Sequence, residues 1–440
     1  MVFIISGVAS AKRAGAFREW DTASTLVAIV ALSAVGPQAV AQFFGGVSRQ
    51  QDRLGDSHNV LTSWAAALGT ISTAGVLAFA VWRFITDVLI KKNPLNLPAA
   101  IGTGLALDLV AGDFLAGRTN ISNKELALVA ILLATTWIQP GRGVLLGGAA
   151  VGCSLIVSTC LLGLTNPAAA TSVCGDKCTY LKLLVNGPYY SPNELGLALA
   201  LSIPCLAVVL TTRYAAISAG LCACALIYAT GSRSALFAAV LAYAGLWGVR
   251  TRLHNYRMPA AHTMLLSSSI VVVGFSLPWL RLSRASYTGR ASLWLIARAR
   301  LSSATTSERT LGFGSKAWKL LYEQSAGIPA AGTYSVHNQW LDMYISGGLV
   351  GLGLLVLLGT LLCGHGRRNR RALSYYLLLP GLALSVLERP WSFAELDWLT
   401  WGLVVILANP YLSAPKALVL SPLRVASYSV NHRSNFLSRS

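Results

Sequence analysis

The side chains able to do chemistry stand at a few places in an otherwise apolar chain. Arg233 lies between Ser232 and Ser234, where an apolar run begins. A helix start disfavours a cation by about 0.3–1 kcal/mol and favours an anion. An arginine placed there makes sense when a phosphate joins both; the bland alternative is an arginine snorkelling to the interface. His337, one of six histidines, also stands where an apolar run begins, with Asn338 beside it. The positive end of a helix opposes protonation and leaves a neutral imidazole able to take a proton. A packed or hydrogen-bonded histidine is the alternative. Asn338 would orient the ring or bind substrate. Ser191-Pro192-Asn193-Glu194 opens a third run. Ser191 as cap, Pro192 in the first helical position and Glu194 beyond it make a capping box. Asn193 and Glu194 are also candidates to hydrogen-bond a sugar or a neighbouring arginine.

A basic stretch between two apolar runs, about 281–336, holds Arg281, Arg284, Arg290, Arg298, Arg300, Arg309, Lys316 and Lys319 against only Glu308 and Glu323. Positive charge is normally retained on the cytoplasmic side of a membrane protein. If this stretch faces outward, an anionic substrate is the simplest reason for its charge. Tyr287 to Trp294 reads as a turn entering an amphipathic helix. Arg290 in it could clamp a phosphate with its planar fork, and Trp294 could stack on a sugar or anchor the loop. Gly312-Phe313-Gly314 reads as a flexible turn and not as a nucleotide motif, because neither a strand nor a Walker lysine accompanies it. The chain contains no P-loop, Rossmann fingerprint, HExxH or GxSxG, which argues against a nucleotide-driven pump.

The elements that must position these residues are membrane helices. The chain of 440 residues is 54% hydrophobic and 12% charged, with a mean hydropathy of +0.58, whereas a soluble domain carries about 25% charged residues. Apolar runs recur at lengths that cross a bilayer as a helix, and backbone groups in lipid must be satisfied within each helix. The expected fold is an all-α polytopic membrane protein of about 12 spans with one large, partly helical outer loop. The spans lie near 22–44, 61–82, 96–116, 125–140, 143–165, 192–212, 214–230, 232–249, 262–280, 339–363, 372–387 and 396–412. The fourth and eleventh are short. Alternation from a cytoplasmic N-terminus places Lys12, Lys91, Arg142, Arg213, Arg250 and Arg367 inside, as positive charge requires. The net charge of +19 is thereby divided between inner loops and the outer loop, and nucleic acid is not the expected partner. The same alternation puts 186–190, 231–233, 281–336 and 388–397 on the outer side. No cleavable signal peptide is expected. Three regions follow: N-terminal spans over 1–185, a functional region over 186–412, and a cytoplasmic tail over 413–440.

Of the eight cysteines, Cys153, Cys160, Cys205, Cys222, Cys224 and Cys363 fall in or at the ends of spans, as small packing residues. Cys174 and Cys178 bracket an outer turn, where an oxidising compartment permits a disulfide. Two thiols without a third ligand do not make a zinc site, and no metal site is expected. Trp391, Phe393, Glu395, Asp397 and Trp398 suit an aromatic membrane belt or part of a sugar surface.

The ordered set resembles the O-antigen ligase and polymerase superfamily of bacterial membrane glycosyltransferases. The matching pieces are Pro192-Asn193-Glu194-Leu195-Gly196, Ser232-Arg233-Ser234-Ala235, Gly289-Arg290 with Trp294, Gly312-Phe313-Gly314, and Val336-His337-Asn338-Gln339-Trp340-Leu341 leading to Gly347-Gly348-Leu349-Val350-Gly351. The resemblance covers roughly 186–412, while the first third shows only hydropathy. It implies a GT-C-type enzyme of the inner membrane, acting at the outer face, that hands a glycan from undecaprenyl diphosphate to a lipid or glycan acceptor. It further implies diphosphate binding by Arg233 and Arg290, general-base action by His337, generally inverting transfer, and no metal, nucleotide or other cofactor. A ligase and a polymerase remain equally open. No large outer C-terminal domain of the kind some protein-glycosylating relatives carry is expected, which would favour a lipid or polysaccharide acceptor.

A reading from another class is a secondary transporter, resting on Asp108 and Asp113 within or near one span; intramembrane carboxylates often mark ion pathways. The expected inverted repeats and paired broken spans are missing. A purely structural envelope protein would leave Arg233 and His337 without a role.

Overall fold

The computed structural model of the protein describes residues 20–51, 57–138, 143–173, 182–210, 213–252, 260–281, 283, 286–287, 290–318, 336–364 and 368–408. The calls on Cys174, Cys178 and the tail 413–440 lie outside them. The helices are α1 (Thr22–Phe44), α2 (Ser63–Ile85), α3 (Leu97–Leu115), α4 (Asn123–Trp137), α5 (Gly143–Thr165), α6 (Pro192–Val209), α7 (Arg213–Ala229) and α8 (Arg233–Arg252). They continue with α9 (Ala260–Ser276), α10 (Arg290–Ser302), α11 (Thr306–Leu311), α12 (Gln339–Gly364), α13 (Arg368–Ser385) and α14 (Thr400–Leu407). The fold is mostly helical, and among the described residues two small antiparallel strand pairs interrupt it. They pair Val47–Gln51 (β1) with Ser57–Leu61 (β2), and Thr171–Val173 (β3) with Leu183–Val185 (β4).

A helix stands at each of the twelve expected spans, but among the described residues six are long and apolar enough to cross a membrane: Thr22–Phe44, Ser63–Ile90, Leu97–Leu115, Gly143–Thr165, Pro192–Val209 and Gln339–Cys363. Shorter apolar helices cover Tyr214–Ala229, Arg233–Ala244, Met264–Trp279 and Tyr375–Ser385. The described part of the last expected span, α14, has 8 residues, too few to cross a bilayer alone at 1.5 Å per residue. These are the points at which the twelve-span expectation outruns the helices.

Local sequence explains where the helices begin. Asp21 accepts from the Ser24 amide at 2.8 Å and starts α1 with a capping box. Ser122 and Glu125 make a second box at α4. At α6 the expected box is half present. Ser191 makes no side-chain cap and Pro192 fits the first turn, while the Glu194 carboxylate takes hydrogen bonds from the backbone at Ser191 and Tyr190. Small residues let the helices approach. On α5, Gly147 faces Val27 of α1, and Gly148 and Gly152 face Cys205 and Ser202 of α6.

Packing separates a core around α1, α5, α6, α7 and α8 from one around α3, α12 and α13. A third, smaller core belongs to the basic loop. Trp294, Ala297 and Leu301 of α10 pack with Phe313, Trp318 and Val336 against Leu341 and Ile345 of α12. Partial helicity was expected of this loop, and α10 and α11 supply it.

Two contact sets mark opposite ends of the helices. At one end Gln42 donates to the carbonyl of Tyr189 at 3.1 Å, and Ser315 of the loop reaches Asp113 and Glu125. At the other end the Asn96 amide side chain donates to Leu407 at 2.9 Å. The basic loop, the starts of α6, α8 and α12, and the segment between α13 and α14 therefore share one end of the bundle.

Candidate functional site

α12 begins at that end, and the residue before its cap carries strain. His337 has φ +49, a left-handed conformation that costs a residue with a Cβ about 1–2 kcal/mol. Its neighbours hold it there. Asn338 caps α12, accepting from the Leu341 amide at 2.8 Å, and donates to the carbonyls of Gly274 at 2.7 Å and Val386 at 2.8 Å. On the other side, the indole N–H of Trp294 donates to the carbonyl of Val336 at 2.9 Å.

The strained turn aims the imidazole at a carboxylate. His337 Nδ1 lies 3.0 Å from Glu388 Oε2. The other oxygen, Oε1, receives the Arg290 guanidinium and, at 3.1 Å, the hydroxyl of Ser234. Glu388 is 3% exposed, Arg290 12% and His337 22%, so the opening lies on the histidine side of the carboxylate. Burial alone would raise the Glu388 carboxyl, but the hydrogen bond from His337 and the charges of Arg290 and His337 hold it below its ordinary value. An ionised Glu388 fixes Nδ1 as the nitrogen bearing the proton and makes Nε2 the basic one. It also stabilises the imidazolium that forms when a proton is taken, the arrangement of a carboxylate–histidine pair in acyl transfer.

Three residues singled out from sequence thus fall together. His337 and Arg290 meet on Glu388, and Arg233 stands on the first turn of α8 next to Ser234, which bonds the same carboxylate. Arg233 itself is exposed and has no hydrogen-bonding partner among the described residues. Base and cation therefore share one carboxylate.

The remaining candidates occupy other positions. Trp294 is 1% exposed, with its ring 5.5 Å from that of Tyr287. It supports the His337 turn instead of offering a face to a sugar. Asn338 is 0% exposed and its amide is fully engaged by the chain; of its two expected roles, orientation is the one its contacts fit. Asn193 is partly exposed. Glu194 does not touch Glu388; its electrostatic neighbours are Tyr189, Tyr190 and Asp397. Trp391 and Phe393, expected at a membrane belt or sugar surface, are 5% and 2% exposed and belong to the core of α3 and α13.

Glu388 was named from sequence only as the edge of an outer segment. The signal for it was weak: a carboxylate directly after an apolar run, followed by Arg389-Pro390. Arg389 lies 3.5 Å from Asp342 of α12, which ties the same segment to the helix His337 precedes. Among the described residues no group of three or more His, Cys, Asp or Glu side chains is placed to hold a metal.

A second feature fixes the loop over this site. α12 breaks at Gly348, where φ is +59 and ψ −153. The carbonyls of Ile345 and Ser346 are taken by the amides of Phe313 and Gly314, each at 2.9 Å. Gly312-Phe313-Gly314 is therefore a clamp on the broken helix and not a flexible turn. A Cβ on Gly348 would strike the backbone of Thr310, and one on Gly312 the backbone of Ser346. Beyond the clamp, Ser315 donates to Asp113 through its amide at 3.0 Å and shares its hydroxyl between Asp113 and Glu125. Arg118 and Lys316 neutralise those carboxylates, at 3.0 and 3.6 Å.

No protein-family model matches the chain, and no curated protein is significantly similar to it.

Proposed function

We propose that this chain is a membrane glycosyltransferase of the GT-C type. It moves a glycan from undecaprenyl diphosphate to the hydroxyl of a lipid or glycan acceptor, at the outer face of a bacterial inner membrane. The observation that carries the reading is the junction of His337, Glu388 and Arg290 at the foot of a basic loop, with Arg233 exposed beside it.

In this reading the acceptor O–H gives its proton to His337 Nε2 while its oxygen attacks the anomeric carbon. The bond from that carbon to the diphosphate oxygen breaks, and its electron pair leaves with the diphosphate. Arg233 and the outer edge of Arg290 meet the charge that develops on the leaving group. Attack opposite the diphosphate inverts the anomeric centre. Glu388 holds the imidazole in orientation and balances it once protonated. A positioned base contributes about 10²–10⁴-fold. The lipid diphosphate supplies the activation, so the reading calls for neither nucleotide nor metal.

The test is transfer in proteoliposomes from a polyprenyl-diphosphate-linked glycan with EDTA present, offering a lipid acceptor and a second lipid-linked glycan separately. Product on the lipid marks a ligase and a lengthened glycan marks a polymerase. Folded protein that yields neither from its native donor, or a His337→Ala variant that transfers normally, removes the reading.

A secondary transporter is the second reading, and one observation favours it. The Asp108 carboxylate on α3 has an oxygen that is buried without a hydrogen-bonding partner and faces Gly347 and Gly351 beside the break in α12. Broken helices next to intramembrane carboxylates are common in transporters. Under that reading Asp108→Asn blocks solute uptake and His337→Ala does not.

A further inference from the structure

The end of the bundle that carries His337 also carries polar atoms the transfer step does not use. Tyr189 is 0% exposed, and its hydroxyl, that of Tyr190 and Glu194 Oε2 are all buried without a hydrogen-bonding partner in the chain. They lie together. Tyr189 neighbours Glu194 and Asp397, and Tyr190 neighbours Glu194. The Tyr189 ring is also held edge-on at 5.7 Å from Trp398, and its backbone carbonyl accepts from Gln42 at 3.1 Å. The side chain is thus fixed while its hydroxyl goes unmatched. A buried polar group is costly to leave unmatched, so these atoms favour a partner from outside the chain.

The chemistry of that partner follows from the groups. Two phenol hydroxyls can donate or accept, and the carboxylate of Glu194 only accepts when ionised. The natural partner brings several hydroxyls on a rigid ring, with or without an ammonium, and no carboxylate of its own. The start of α6 also sits beside the start of α8: a Cβ on Gly196 would lie 3.0 Å from that of Ser232, the residue before Arg233. Arg233 and Arg290 thus stand on one side and the Glu194 carboxyl on the other, where Asp397 is balanced by Arg389 and bonded to Leu399 and Thr400. An anionic diphosphate belongs on the first side, which leaves the second for the acceptor.

We infer that Tyr189, Tyr190 and Glu194 form an acceptor subsite for a neutral or amino sugar and discriminate against uronic acids. Its assignment to the acceptor rests on the transferase reading, whereas the sugar selectivity does not.

The test needs no turnover. Binding of methyl glucoside, methyl glucosaminide and methyl glucuronide to the purified full chain is measured by saturation-transfer NMR in nanodiscs. The neutral and amino glycosides bind, and the glucuronide binds at least about tenfold more weakly because its carboxylate meets Glu194. Tyr189→Phe removes one oxygen and weakens the neutral glycoside about fivefold, while binding of undecaprenyl diphosphate is unchanged. Glu194→Gln narrows the gap between glucoside and glucuronide. Equal binding of the three glycosides, no binding of any, or a Tyr189→Phe variant that binds like the wild type overturns the subsite. Transfer that proceeds without sugar discrimination would sink the subsite and spare the transferase; discrimination without transfer would do the reverse.

Discussion

Glu388 and His337, 51 residues apart in the chain, face each other at 3.0 Å across the mouth of the bundle. The carboxylate that orients the histidine is also the one that holds Arg290, so the base and the phosphate-binding cation are not independent parts. Substituting Glu388 by Gln keeps the shape and removes the charge. It leaves Arg290 buried without its counter-ion, a loss of about 3 kcal/mol, and lets the imidazole rotate. Transfer is expected to fall about 10²–10⁴-fold. The sign of the pH effect follows from the lowered Glu388 carboxyl. A depressed carboxyl contributes stability that is fully present above its ordinary value of 4.5, and that is lost as pH falls through the lowered one. Melting temperatures of wild type and Glu388→Gln should therefore differ most near neutrality and converge in acid. A gap that persists unchanged at low pH would mean that the cluster is not ionic.

Arg233 and Arg290 should respond differently to lysine. Arg290 is nearly buried on Glu388, and lysine loses the planar fork that lets one guanidinium hold Glu388 and a phosphate together. Arg290→Lys is expected to lower the melting temperature as well as turnover. Arg233 is exposed and unpaired among the described residues, so Arg233→Lys should leave the melting temperature unchanged and still cut kcat/KM for the donor about tenfold. Thermal denaturation of both variants, read beside their donor kinetics, separates the two roles. Equal stability loss in the two would contradict the division.

Helix-start logic reads Arg233 and His337 from the sequence because their meaning depends on residues one or two positions away. Arg290 was legible as a cation entering an amphipathic helix for the same reason. Glu388 was not, because its partners lie 51, 98 and 154 residues from it, and nothing local distinguishes it from a carboxylate at a helix end. Trp294 was legible only as two alternatives, a sugar platform or a loop anchor. An indole is apolar with one polar edge, so its sequence fits a sugar platform and a buried strut equally well, and only its bond to Val336 decides. The hydropathy runs located the helices outside the basic loop but not α11 within it, and the short α4 and α14 show that an apolar run ends where packing ends it, not where a bilayer would.

Trp294 offers a direct check on that distinction. Trp294→Phe retains most of the buried ring but removes the N–H that Val336 accepts, and it leaves that carbonyl unmatched, at about 1–3 kcal/mol. Because the lost bond sits one residue before the strained His337, kcat should fall about tenfold with KM for donor and acceptor little changed. A raised KM with an unchanged kcat would restore the sugar-stacking role.

Ser315 is the latch between the loop and the membrane helices. Ser315→Ala removes the hydroxyl shared by Asp113 and Glu125 and leaves the amide bond to Asp113 in place. The expected cost is about 1–3 kcal/mol, taken locally and not from the whole fold. Hydrogen exchange should report faster opening at the Phe313 and Gly314 amides, which cap the broken helix, with little change in the middle of α5 or α6. Unaltered exchange at those amides would mean that the clamp holds without the latch.

The clamp makes its strongest demand at Gly348. Any other residue there meets two penalties at once. A φ of +59 costs a residue with a Cβ about 1–2 kcal/mol, and the Cβ itself points into the Thr310 carbonyl group. Neither Thr310 nor Gly348 can retreat without lengthening the bonds from Phe313 to Ile345 and from Gly314 to Ser346. Gly348→Ala is therefore expected to destabilise the protein by about 3 kcal/mol or more. Activity should fall with it, because the loop that carries Arg290 and Trp294 is docked through this contact. Gly353, one turn and a half further along α12, has nothing within 4 Å of an added Cβ. Gly353→Ala should be neutral or stabilising by up to about 1 kcal/mol. Measured together by thermal denaturation in the same detergent, the pair separates a general intolerance of α12 to alanine from a contact specific to the break. Equal melting temperatures for the two variants would remove the clamp as the element that holds the loop in place.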